Sequence, residues 1–358
     1  MSDRKLAARI NLIGWNNDRG LGHDIRLLRE ALEALGHEVH LTTVGPGRRR
    51  QTLAALLLRI RLLWQWLRRG GRSSWKFDAS ITLEHVRPDY LGMARRNLFI
   101  PNPEWLSPRD ERHLHRFDAL LTKTRIATSI FQARGFDTRY IGFRSTDCRR
   151  PEIPRQMRFL HLAGASRMKG TQRVLALWRR HPEWPPLLVL QSPQTAQDIP
   201  DLPAQDNLEH RVATLGDIGE VRRLQNSHVF HLCLSETEGW GHYITEAMSC
   251  GAVVITCDAP PMNELVRPER GLLVAATAVG ASNAATRYQF DEGALEATIA
   301  QIRTMDAAQC AAMGARARTW FEANDRAFTG LLREALQQLL PSDAAIGTAG
   351  RESPGHHS

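Results

Sequence analysis

Glu238 and Glu246 stand with seven residues between them, and the chain separating them is built to receive an anion. Glu238 lies in a polar loop, Ser235 to Gly241, and Glu246 falls one to two turns into the helix that follows. The amino terminus of that helix, with Gly239 and Gly241 leaving backbone N–H groups accessible, suits a phosphate. A carboxylate beside such a site can accept the two vicinal hydroxyls of a ribose or a sugar ring. Two further loops at strand ends carry complementary groups: Gly164–Gly170 holds Arg167 and Lys169, and Gly216–Ile218 holds Asp217. Cations beside a helix start would hold a diphosphate. The set fits a nucleotide-sugar better than a free nucleotide.

These groups need strands to deliver them. Val229 to Leu234 is an apolar run of the kind buried on both faces of a parallel sheet. A helix ending at Gly251 follows the loop, and a second apolar run, Ala252 to Cys257, comes at once. Such a strand–loop–helix–strand unit places its loop at the carboxyl end of a strand, where open α/β sheets bind ligands. The same alternation starts the chain. Ala7–Trp15 reads as a strand, Asn16–Gly22 as a loop, Asp24–Leu35 as a helix stopped by Gly36, and His37–Val44 as a strand. Gly20 and Gly22 do not fit G-x-G-x-x-G, because Ile25 follows, and the second strand lacks an acidic end. A nicotinamide cofactor is therefore not expected. Asp78–His85 reads as a strand delivering Glu84 and His85, and another, Asn97–Ile100, runs into Pro101–Trp105, with a helix around Arg109–Phe117 after it; in the second half Gly271–Val274 reads as a strand.

The polar, proline-bearing segment 144–156 separates two α/β halves. The expected organisation is a first domain over 1–150, a second over 151–320, and a helix over 321–340 packing back on the first. A disordered tail is expected over 341–358. Chemistry would then lie in the cleft between the lobes.

Composition narrows the setting. The 358 residues are 42% hydrophobic, enough for two ordinary cores. Five cysteines lack CxxC or metal-ligand spacing, which points to reduced thiols in a cytoplasmic protein. No stretch approaches the ~20 apolar residues of a membrane span, and Ile10–Trp15 is too short for a signal peptide's core. The net charge of +9 is concentrated: nine basic residues and no acidic one lie between Gly47 and Phe77. Within that segment Leu53–Leu67 is richly apolar. It reads either as a helix packed on the sheet with solvated arginines or as one lying on an anionic leaflet, with Trp64 and Trp66 at headgroup depth and residues 48–76 as the contact. Nucleic acid is not expected, since no polar readout residues are interleaved.

Glu238-Gly-Trp-Gly-His-Tyr-Ile-Thr-Glu246, followed by Ala-Met-Ser-Cys-Gly and an apolar strand, resembles the E-x7-E signature of retaining GT-B glycosyltransferases. Glycosyltransferase family 4 is the group it looks like most, and the similarity covers roughly residues 157–275. The resemblance implies two Rossmann-like doubly wound domains facing a cleft, and transfer of a sugar from a nucleoside-diphosphate sugar to a glycan or lipid-linked acceptor. It implies that Lys169 neutralises the departing diphosphate, that Glu246 binds the ribose, and that Glu238 contacts the sugar. Where the family usually has an arginine after the loop's first glycine, this chain has Ala165, and Arg167 is expected to take that part. Gly20 and Gly22 match the family's glycine-rich first loop, and His85 falls where a histidine often faces the donor sugar. His242 and Asn102-Pro-Glu104 read as turn and cap residues near the cleft. No D-x-D motif occurs, so no metal and no cofactor beyond the nucleotide sugar is expected. The rival readings are a nucleotide-sugar epimerase or hydrolase of the same fold, and a non-catalytic membrane- or glycan-binding relative.

Overall fold

Apolar runs alternate with helices along both halves of the chain, and each half builds its own sheet. A computed structural model describes residues 7–15, 20–45, 48–71, 74–199, 204–213 and 217–340. The first half runs β1 (Arg9–Trp15), α1 (Gly20–Ala34), β2 (Glu38–Val44), α2 (Arg48–Arg68), β3 (Phe77–Leu83) and β4 (Ala94–Ile100). It continues through α3 (Pro108–Glu111), β5 (Ala119–Thr122), α4 (Arg125–Gln132) and β6 (Thr138–Tyr140). Among the described residues these strands form a parallel six-stranded sheet, β2-β1-β3-β4-β5-β6. The chain reverses direction across the sheet between β1 and β3. That switch point leaves a crevice at the strands' carboxyl ends.

The second half runs β7 (Gln156–Gly164), α5 (Thr171–Arg180), β8 (Leu187–Gln191), α6 (Pro193–Ala196), β9 (Leu208–Val212) and α7 (Ile218–Ser227). Then come β10 (His228–Cys233), α8 (His242–Ser249), β11 (Val253–Asp258), α9 (Met262–Leu265), β12 (Leu272–Ser282) and β13 (Ala285–Phe290). The chain closes on α10 (Glu292–Thr304) and α11 (Ala307–Leu339). The seven-stranded order is β13-β12-β11-β10-β7-β8-β9, parallel except for the β12–β13 hairpin. Here the switch point lies between β7 and β10. The loops leaving those two strands are the ones that carry Lys169 and Glu238.

Three features depart from the sequence reading. Helix α1 starts at Gly20, so Gly20 and Gly22 lie in its first turn rather than in a loop, while Asn16–Arg19 fall outside the described residues. Arg109–Phe117 is a short helix and a 3-10 turn instead of one helix. The strand expected over Gly271–Val274 runs on to Ser282 and pairs with β13. Its second half, rich in alanine, glycine and serine, shows no apolar alternation, which is the signal a strand is read from.

The two lobes are held by segments outside the sheets. Residues 144–155 carry no regular structure, yet they are tied to the second lobe. The amides of Cys148 and Arg150 donate to Ser249 Oγ and Asn226 Oδ1 at 2.9 and 2.8 Å. Helix α11 starts in a capping box, with Asp306 and Gln309 exchanging hydrogen bonds, and packs first against the second lobe. Its later turns reach the first lobe, where Asn324 donates to the Phe143 carbonyl at 2.8 Å and Phe328 meets the Phe143 ring. All five cysteines are buried and unpaired. The tail 341–358 lies outside the described residues.

Candidate active site

At the second lobe's switch point, Gly170 decides where Lys169 goes. Its φ is +66°, and a Cβ there would come within 2.7 Å of the Leu234 carbonyl oxygen. Only glycine takes that conformation at that approach without strain. The turn therefore closes tightly onto the end of β10, and the Lys169 ammonium is set 3.5 Å over the Tyr243 ring and 3.4 Å from the Leu162 carbonyl. Tyr243 is hydrogen-bonded to Ser235, whose hydroxyl donates to Glu238 Oε1 at 2.5 Å. Lys169 and Glu238 are thus two ends of one rigid assembly. Burial pushes the Lys169 amine below its ordinary range, and the Glu238 carboxylate opposes this. A partly desolvated cation without an anion on it is suited to receive one.

Glu246 lies on the second turn of α8. Its Oε2 accepts from Arg222 at 3.2 Å and Gln225 at 3.1 Å, and Oε1 faces His23 Nε2 of the first lobe at 3.8 Å. Beside it opens a cleft of about 500 Å³ between the lobes. Four arginines, Arg26, Arg150, Arg222 and Arg223, line it against one carboxylate, Glu152, and Ile218 and Gly219 at the start of α7 form another wall. An apolar wall, a ring of guanidinium groups and a nearby carboxylate fit a nucleoside diphosphate. His23 is held neutral there, pushed down to about 4 by burial and by His242.

The first lobe closes over the N-terminal side of α8. Asp24 on α1 is buried and meets Lys123, which follows β5, and His242 Nε2 at 2.5 Å, which begins α8. Burial alone would raise the Asp24 carboxyl, but Lys123 and then His242 hold it well below the usual range. Lys123 also donates to Asn102 Oδ1 at 3.0 Å. Asn102 and Glu104 press on Gly239, where a Cβ would fall 2.6 and 2.7 Å from their side-chain oxygens. At the first switch point, Glu84 has a φ of +60° and His85 stands beside it. His85 Nδ1 is 3.4 Å from Asp110 Oδ2, and that hydrogen bond, with Glu84's charge, lifts the imidazole above its ordinary value against the effect of burial.

Glu104 is the unusual member of this group. Its carboxyl is buried, Oε2 has no hydrogen-bond partner, and the carboxyl is raised from 4.5 to about 8 by burial and by Glu238. Between those two values the unfolded chain is ionised while the folded chain keeps its proton, so stability falls as pH rises through this window and is level above it. Glu104→Gln is expected to remove the fall, amounting to about 3 kcal/mol or more in favour of the variant at pH 8. Melting curves of both proteins at pH 5 and pH 8 check this. Equal pH dependence in the two would count against a protonated Glu104.

Not every residue singled out from the sequence joins the cluster. Glu238, Glu246, Lys169, Gly239 and Gly241 surround α8's start, and His85 stands in the first lobe beside Glu84, which accepts from Asn102 at 3.4 Å. Arg167 does not reach them. It is exposed and ion-paired with Asp198 at 2.6 Å, so it does not stand in for the arginine expected where Ala165 is found. Asp217 caps α7, accepting from the amides of Gly219 and Glu220 at 2.8 and 3.2 Å. It shapes the cleft wall instead of pointing into it. His242 and Asn102 bridge the lobes and are more than turn residues. Sequence reasoning missed Asp24, Lys123, His23 and Arg222. Only Lys123 carried a local signal, by standing directly after a strand. Among the described residues, no group of three or more His, Cys, Asp or Glu side chains could hold a metal ion.

Residues 151–302 match the family model described as Glycosyl transferases group 1. No curated protein matches the chain. Among solved structures it is similar to sucrose-phosphate synthase from Thermosynechococcus elongatus, with 16% identity and a TM-score of 0.65 over 93% of this chain and 99% of that one. It is similar also to Anabaena HepE in complex with UDP and glucose, with 14% identity and a TM-score of 0.63 over 93% and 100%. A trehalose-6-phosphate protein from E. coli bound with UDP-2-fluoro glucose aligns with 13% identity and a TM-score of 0.62 over 93% and 100%. The two-lobed architecture is the GT-B fold.

Proposed function

From a second lobe that is a glycosyl transferases group 1 domain in a GT-B fold, we propose that this protein is a retaining, metal-independent glycosyltransferase. It moves a sugar from a nucleoside-diphosphate sugar to a glycan or lipid-linked acceptor presented near a membrane, in polysaccharide biosynthesis. The single observation that carries this reading is the assembly of Lys169, Glu238 and Glu246 around the start of α8 beside an arginine-lined cleft.

In this mechanism the nucleoside occupies the cleft and its ribose hydroxyls bind Glu246 Oε1, the oxygen turned away from Arg222. The diphosphate lies at the amino terminus of α8, where the N–H groups near Gly239 and Gly241 and the Lys169 ammonium face it. Glu238, oriented by Ser235, accepts from the sugar hydroxyls and stabilises positive charge at the anomeric carbon. His85, steered by Asp110, binds the sugar from the first lobe. As the bond from the anomeric carbon to the phosphate oxygen breaks, the acceptor oxygen attacks from the same face. Its proton passes to the departing phosphate oxygen, so no separate base is required. The helix start and Lys169 supply the charge stabilisation that a divalent ion would otherwise provide.

Glu246→Ala is expected to raise the donor KM about 10–100-fold, the loss of charged hydrogen bonds to hydroxyls. A thermal-shift screen over nucleotide sugars identifies the donor, because a ligand of the folded state raises the melting point by mass action. UDP-sugars come first, since two of the similar structures hold UDP or a UDP-sugar. Donor binding unchanged in Glu246→Ala would sink the assignment. Donor consumed at full rate without any acceptor would favour an epimerase or hydrolase.

A further inference from the structure

Helix α2 is anchored by one face and leaves an apolar stripe on the other. Ala55 and Leu62 are buried and Leu58 is half-buried, packed on Tyr90, Met93, Phe77 and Ala94 of the first lobe. Facing outward are Leu53, Leu56, Leu57, Ile60, Leu63, Trp64 and Leu67, with Leu67 62% exposed. They recur every three or four residues, which on a helix makes a single continuous band roughly 20 Å long. Thirteen large hydrophobic residues are exposed among the described residues, and these seven are on α2. The buried face already satisfies the core, so the outward stripe is not left over from packing. An apolar patch of this kind on a folded protein marks an interaction site.

Charge selects the partner. Arg49, Arg50, Arg61, Arg68 and Arg69 are exposed on or next to the helix, and no acidic residue occurs from Gly47 to Phe77. The Arg68 guanidinium lies 3.6 Å over the Trp64 ring, which pairs a positive charge with the exposed indole. Trp66, expected at the same depth, is only partly exposed. A band of aliphatic side chains bearing one indole, bounded at both ends by arginines, fits the boundary between acyl chains and anionic headgroups. No helix among the described residues is long and apolar enough to cross a membrane. The helix can therefore only lie along one.

We infer that α2 docks this protein on an anionic lipid bilayer, with Leu53, Leu56, Leu57, Ile60, Leu63, Trp64 and Leu67 entering the acyl boundary and the flanking arginines on lipid phosphates. The helix packs by its buried face on the β1 side of the first lobe, the lobe in which Trp15 lies 6.1 Å from His85. Docking itself does not depend on the enzymatic reading.

The test is flotation of the full chain with phosphatidylglycerol-containing vesicles and with phosphatidylcholine alone. Wild type is expected to bind the anionic vesicles at least tenfold more tightly, and to lose much of that in high salt. Leu53→Ser, Leu57→Ser and Leu67→Ser combined, and separately Arg49→Gln, Arg50→Gln, Arg68→Gln and Arg69→Gln combined, are each expected to lose tenfold or more with unchanged melting behaviour, because all these side chains are exposed. No vesicle binding by wild type would overturn the proposal. So would vesicle binding that survives the serine variant, or a wild-type dimer that the serine variant converts to monomer without any lipid binding. Donor binding, measured on the same samples, separates failure here from failure of the enzymatic assignment.

Discussion

Lys169→Met is expected to lower sugar transfer by about 10²–10³-fold while leaving the folded protein as stable as wild type or more so. The loss corresponds to removing one charged group aimed at the departing phosphate, about 3–4 kcal/mol of transition-state stabilisation. The stability side follows from where the amine sits. Burial holds it below its ordinary value, with a carbonyl and an aromatic ring as its close partners. For a cation depressed in the folded state, stability rises with pH as the folded amine sheds its proton before the unfolded one. Below that range the charge is carried at a cost, which methionine removes while keeping the packing on Tyr243. A bound diphosphate reverses the balance by favouring the charged amine, so donor binding should weaken at alkaline pH. Initial rates and melting curves measured together check this. A variant with wild-type turnover would rule out the catalytic role, and one that loses stability in step with activity would make Lys169 a structural cation.

Gly314→Ala is expected to destabilise the protein by roughly 2–3 kcal/mol, although alanine is the better helix former by about 1 kcal/mol. A Cβ at Gly314 would lie 2.1 Å from the Gly251 carbonyl oxygen, a backbone atom that no rotamer change can move. Helix α11 would have to separate from the end of α8, the helix that carries Glu246 and the proposed diphosphate site. Donor affinity should therefore fall along with the denaturation midpoint. Gly330, on the same helix, has open space around its Cβ position. Gly330→Ala should gain about 1 kcal/mol from helix propensity alone. Denaturant titrations of the pair give the answer directly: equal shifts in both variants would show that the close approach of α11 to Gly251 is not what limits this site.

The α/β alternation and the grouping of residues around α8 were legible because each rests on short-range patterns. Apolar runs broken by glycine mark buried parallel strands, and Glu238, Gly239, Gly241 and Glu246 lie within nine residues of one another. The hairpin of β12 and β13 was not legible. Its small residues give no alternation, yet it brings Arg287 to Glu236 and sets Ser282 and Asn283 on the Glu104 carbonyl. Arg167 misled for a related reason. Closeness in sequence to Lys169 says nothing of direction, and the turn sends one side chain to Tyr243 and the other to Asp198.

Sequence by itself determined the two-lobed architecture, the second-lobe carboxylates and lysine, and the basic apolar segment at 48–76. Local spacing encodes which groups a strand end or a helix start presents. Tertiary structure alone decided how the lobes meet. Asp24 finds Lys123 across 99 positions of sequence and His242 across 218, and no local pattern in the sequence pairs them. It also decided which face of α2 is left outside, since a stripe and a core face share the same helical period until packing buries one of them.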